Sequence, residues 1–134
     1  MRLSPAAELA VRSMLILAEE HGRGPVTLTT ICRRRALPRQ YLVKILSTLA
    51  KAGLVTAIRG KNGGYKLAKA PEQITVLEII ETIEGRIALN YCQQEPSQCD
   101  QTSCPVRPVW TDFQNLLRHK LGETTLADCV AHTA

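Results

Sequence analysis

The chain is 134 residues long and 45% apolar, with no apolar run near the roughly 18 residues that cross a bilayer, so it is read as one soluble, compact, cytoplasmic domain. That length leaves no room for two independent modules. The net charge of +5 is unevenly spread: residues 21–71 hold eleven Lys and Arg and no Asp or Glu, the electrostatic footprint of a polyanion partner.

The first stretch, MRLSPAAELAVRSMLILAEEHG, has the look of a secretion signal. It carries Glu8, Glu19 and Glu20 and lacks a clear apolar segment ending in a small-residue cleavage site, which fits an amphipathic helix better. Ser4 before Pro5 is an N-cap with a first-turn proline, and Leu9, Ala10, Met14, Leu17 and Ala18 recur at helical spacing as far as His21 and Gly22. A second, shorter helix is expected over 27–36. A third restarts at Leu37-Pro38, turns Leu42, Ile45, Leu46 and Leu49 inward, and stops at Gly53. Two helices joined by a tight turn, the second with a polar side of Arg39, Gln40 and Lys44, are the sequence form of a helix-turn-helix.

Residues 54–58 then read as a strand, RGKNGG as a glycine-rich turn and 65–68 as the returning strand. A basic hairpin directly after a recognition helix is a wing. Its glycines would let the backbone approach a phosphate or a minor groove, with Arg59 and Lys61 supplying charge. An ordinary hairpin whose turn needs positive φ would use the same glycines. The residues expected to meet double-stranded DNA are Thr27, Arg39, Gln40, Tyr41 and Lys44 from the helices, and Arg59, Gly60, Lys61, Asn62 and Gly63 from the wing. Gln40 can pair with adenine in bidentate fashion, whereas Val43 offers only apolar contact, for instance to a thymine methyl.

Thr75 and Glu78 form a capping-box pattern ahead of a fourth helix that ends at Gly85. After residues 86–105, punctuated by Pro96 and Pro105, a long amphipathic helix is expected over about 106–121. Val109, Trp110, Phe113, Leu116, Leu117 and Leu121 line one of its sides, and this helix is the candidate dimerisation element. Thr125 and Asp128 suggest a short final helix containing Cys129, which, like Cys32, is read as structural. The fold class is thus mainly α with a small β-hairpin, a winged helix-turn-helix plus a long C-terminal dimerisation helix. Residues 1–85 form the reading head, 86–105 a cysteine loop, and 106–134 the dimerisation helix and tail.

The cysteine loop, CQQEPSQCDQTSC, places three of the five cysteines within thirteen residues. In a reducing compartment such crowding is rarely a disulfide framework, and thiolates are soft ligands for iron-sulfur clusters, zinc or copper(I). The intervals of six and four residues match neither a zinc-ribbon pair nor a ferredoxin run, so a zinc site and a thiol-disulfide switch stay open beside a cluster. An enzyme with an activated cysteine would need a paired base, and none of the three histidines is placed by sequence to serve.

The segments MRLSPAAELAVRSML, LPRQYLVKILSTLAKAGLV and RGKNGGYKLA, with three cysteines after an ETIEG helix, resemble the IscR/NsrR family of bacterial winged-helix regulators over nearly the whole chain. The resemblance implies a homodimer on a DNA operator, with no membrane association, no small-molecule substrate and no enzymatic activity. It also implies an iron-sulfur cluster, [2Fe-2S] or [4Fe-4S], with Cys92, Cys99 and Cys104 as three of its ligands. One branch of the family has a histidine three residues after the third cysteine; here Arg107 stands there and cannot ligate. The other branch uses an acidic residue from the first helix of the opposite subunit, and Glu8 holds the matching position.

Overall fold

The computed structural model describes residues 2–132. The Ser4 hydroxyl accepts from the Ala7 N–H at 3.1 Å and Pro5 occupies the first turn, starting α1 (Pro5–Glu19). Its stripe of Ala7, Ala10, Met14 and Leu17 is fully buried, and the buried Ser13 satisfies its hydroxyl on the Leu9 carbonyl at 2.8 Å. α1 is the central post of the fold and packs against α2 (Leu28–Arg35), α3 (Arg39–Lys51), α4 (Val76–Glu84) and α6 (Leu126–Ala131).

Thr27 caps α2, which ends at Ala36 in the left-handed conformation, φ 50° and ψ 49°. No glycine marks that turn, although it sets the angle between the two helices. Pro38 lies at the N-cap of α3 rather than inside its first turn, and Leu42, Ile45, Leu46 and Leu49 all point into the core as their spacing predicts. Burying side chains of this size stabilises the domain by about 1.5–3 kcal/mol each.

Strands β1 (Val55–Ile58) and β2 (Gly64–Leu67) pair antiparallel, from Val55 opposite Leu67 to Ile58 opposite Gly64. Val26 and Tyr65 exchange two backbone hydrogen bonds of 2.8 Å, fastening the hairpin to the segment that leads into α2. After a 3-10 turn at Pro71–Gln73, Thr75 caps α4. The cysteine loop contains a second 3-10 turn, Tyr91–Gln93, and leads into α5 (Arg107–Glu123). The chain then folds back, with Val76 N–H donating to the Thr124 carbonyl and Leu126 N–H to the Ile74 carbonyl, both at 2.9 Å.

The expected apolar side of α5 does not form a core face. Gln114 is the residue of this helix that is buried, Leu117 and Leu121 are half-buried, and Val109, Trp110, Phe113 and Leu116 are exposed. Trp110 is 37% and Leu116 70% exposed, so packing within one chain does not account for them.

Candidate nucleic-acid interface and thiol loop

The outer face of α3 presents Arg39, Gln40, Tyr41, Val43 and Lys44 to solvent, with Tyr41 39% and Val43 43% exposed. The inward leucines fix which side is free. Arg39 Nη1 donates to Thr29 Oγ1 at 3.1 Å, holding the guanidinium over the start of α2, with no acceptor for its other donors among the described residues. The Thr27 side chain is occupied by its own helix: Oγ1 accepts from the Thr30 N–H at 3.2 Å and donates to Thr30 Oγ1 at 2.9 Å.

The acid-free segment is less basic in space than along the chain. Glu19 and Glu20, at the end of α1, pair with Arg34, Arg35 and Arg23, and Glu78 pairs with Lys69. Among the described residues, Arg39, Lys44, Arg59 and Lys61 enter no such pair. The positive charge left for a polyanion is therefore that of α3, with Lys51, and of the hairpin tip, together with the exposed Arg33 on α2 and Lys66 on β2.

At that tip Arg59, Gly60, Lys61 and Asn62 are exposed and Gly60 has φ 108°. Gly63 and Gly64 have internal reasons to be glycine. A Cβ on Gly63 would lie 2.0 Å from the Ile58 carbonyl oxygen, and one on Gly64 2.5 Å from that of Val26. Those two serve the hairpin and its anchorage whether or not DNA is present.

In the cysteine loop Cys92, Cys99 and Cys104 are half-buried free thiols. Cys92 Sγ donates to Asn90 Oδ1 at 3.1 Å and accepts from Gln93 Nε2 at 3.4 Å. The Cys99 N–H donates to Ser97 Oγ at 3.3 Å, and the Cys104 carbonyl accepts from the Arg107 N–H at 3.1 Å as α5 begins. Arg107 donates through Nη2 to the Gln101 carbonyl, while its buried Nε has no partner among the described residues.

Three polar clamps hold this loop, and the sequence reading missed all of them. Gln114 accepts from the Leu89 N–H at 2.9 Å, Gln93 donates to Thr111 Oγ1 at 3.0 Å, and Glu81 accepts from the Ile87 N–H at 2.7 Å while pairing with Arg118 at 2.8 Å. Burial pushes the Glu81 carboxyl up, but the Arg118 and Ile87 hydrogen bonds, with the charges of Arg118 and Arg86, outweigh it and hold the group below its ordinary value. Their spacing gave no signal: Glu81 stands with Glu78 and Glu84 on the polar side of α4, and Gln114 has Thr111 and Arg118 beside it on α5.

Three soft sulfur donors suit iron or zinc chemically. Yet no group of three or more His, Cys, Asp or Glu side chains that could hold a metal gathers among the described residues, and Glu8 is exposed in the first turn of α1. As folded, the residues of one chain do not fit a cluster. Cys32 packs at the edge of the core, and at Cys129 burial, with the Asp128 charge, pushes the thiol up, which suits the structural role expected of both.

A helix-turn-helix with an exposed polar face, followed by a basic hairpin fastened beside it, defines a winged-helix DNA-binding protein. A family model described as Rrf2, iron-dependent transcriptional regulator, matches residues 3–132. The chain belongs to the Rrf2 family of transcriptional regulators, and is a regulator rather than an enzyme. It is 34% identical over 134 residues to the transcriptional regulator CymR of Bacillus subtilis, covering 99% of this chain and 92% of that one. It is also 34% identical over 130 residues to the regulator IscR of Cronobacter sakazakii, covering 97% and 80%. The solved structure of CymR, described as the global cysteine regulator of B. subtilis, superposes with a TM-score of 0.89 at 32% identity, covering 100% of this chain and 99% of that one.

Proposed function

We propose that the chain acts in the cytoplasm as a homodimer on double-stranded DNA, with Cys92, Cys99 and Cys104 as the sensory element that sets operator affinity. The observation that carries this reading is a juxtaposition on α5. The helix that clamps the thiol loop through Thr111 and Gln114 also bears the open row of Val109, Trp110, Phe113 and Leu116. Residues at this spacing form one helix stripe, and a second copy would cover it. A change in the loop then reaches the element that sets the spacing of two recognition helices. Arg39, Gln40, Tyr41 and Lys44 would meet base edges and phosphates, with Arg59, Gly60, Lys61, Asn62 and Gly63 at the adjoining groove. Thr27 contributes by capping α2.

Two chemistries for the thiols each have an observation in their favour. An iron-sulfur cluster, [2Fe-2S] or [4Fe-4S], with Glu8 donated by the second copy, is supported by the soft donor set and by the iron dependence in the family's description. A switch of the thiols without iron is supported by the cysteine regulator among the relatives.

Protein isolated without oxygen separates the two. Iron and sulfide in stoichiometric amount with visible absorption establish the cluster, whereas colourless protein whose DNA affinity changes with oxidant establishes the thiol switch. Neither result would end the sensory reading. Phe113→Asp should convert the dimer to monomer in sedimentation velocity, and a wild-type monomer would refute the dimer.

A further inference from the structure

Cys92 is the start of a hydrogen-bonded path that leads to the first turn of α5. Its S–H is given to Asn90 Oδ1 at 3.1 Å, and its sulfur accepts from Gln93 Nε2 at 3.4 Å. The same amide nitrogen donates to Thr111 Oγ1 at 3.0 Å, and Thr111 gives its own hydroxyl hydrogen to the Arg107 carbonyl at 3.1 Å. An amide nitrogen has two N–H groups and a hydroxyl has one hydrogen, so every hydrogen of this arrangement is used.

We propose that Gln93 is a positioning residue that transmits the bonding state of the Cys92 sulfur to the first two turns of α5. The proposal rests on the reading of the loop as sensory. A free thiol both donates and accepts. Once the sulfur is bonded to a metal, a second sulfur or an alkyl group, it has no hydrogen for Asn90, and what it offers Gln93 changes as well.

The segment ahead cannot absorb the adjustment, because the Ile87 and Leu89 N–H groups are fixed to Glu81 and Gln114. Gln93 must therefore shift its hold between the sulfur and Thr111. That hydroxyl is bonded to the backbone of Arg107, the residue that opens α5.

The test combines Cys92→Ser and Cys92→Ala, each with Gln93 and with Gln93→Ala, in the full chain. Hydrogen exchange is read over residues 107–115, together with affinity for a duplex selected from random DNA by the wild type. Cys92→Ala should speed exchange there by about threefold, and Cys92→Ser, which restores a donor and acceptor, should return it toward wild type. With Gln93→Ala, all three residues at position 92 should exchange alike. Thr111→Val, which leaves the loop sequence intact, should abolish the dependence in the same way.

A Cys92→Ala effect of equal size with and without Gln93, or none in α5, would overturn the proposal. If exchange follows the expected pattern while DNA affinity ignores position 92, transmission stands and the sensory reading fails. If affinity depends on position 92 regardless of Gln93, the sensory reading stands and transmission fails.

Discussion

Gln114 Oε1 accepts a hydrogen bond from the Leu89 N–H at 2.9 Å through a side chain only 3% exposed, and this contact seats the start of the cysteine loop on α5. Replacing it with the similarly sized Gln114→Leu would leave the part-buried Leu89 N–H without its acceptor. The expected loss is about 1–3 kcal/mol, read as a lower urea midpoint at unchanged slope. A loss below about 0.5 kcal/mol would mean that the contact does not anchor the loop.

The Glu81 clamp makes the loop sensitive to acid. Because the folded-state pKa lies below the ordinary carboxylate value, the contribution to stability is complete above that value and is lost as pH falls through the lowered one. Wild type should therefore be more stable than Glu81→Gln at neutral pH, and the gap should close on acidification. A gap independent of pH would show that the charge of Glu81 contributes nothing.

Ala36 holds a left-handed conformation, φ 50°, at the turn of the helix-turn-helix. An L side chain there is disfavoured by roughly 1–2 kcal/mol, while glycine loses more chain entropy on folding. Ala36→Gly should raise stability by about 0.5–1 kcal/mol net in thermal unfolding. A decrease would mean that the turn is not strained.

The ion pairs sort the basic residues. Arg59→Ala and Lys61→Ala should each lower the slope of log affinity against log salt by about 0.9 per lost phosphate contact. Arg34→Ala removes a side chain already held by Glu19 and Glu20, and should leave that slope unchanged. An equal fall for all three variants would contradict the placement of the free charge on the hairpin.

The winged-helix core was legible because it rests on local signals: the 3.6-residue spacing of Leu42, Ile45, Leu46 and Leu49, the cap at Ser4, and the glycine turn. What the sequence hid depends on distant groups meeting in space. Thr75 and Thr125 carry near-identical capping patterns, but Lys69 draws the Glu78 carboxylate away at 3.2 Å, so the complete reciprocal box forms only at Thr125 and Asp128. Likewise the segment without acids borrows Glu19 and Glu20 from α1. The thiol loop was evident from its cysteines, whereas its clamps were not, because Gln93, Thr111 and Gln114 gain meaning only once the loop lies on α5.

The most direct test compares DNA occupancy of wild type with the triple variant Cys92→Ser, Cys99→Ser, Cys104→Ser. Both are titrated on one selected duplex under reducing, oxidising and anaerobic iron-supplied conditions. Wild-type affinity should differ by about fivefold or more between conditions, as a coupling of roughly 1–3 kcal/mol requires, while the triple variant holds one value throughout. Superimposable wild-type and triple-variant curves under all three conditions would contradict control by the thiols.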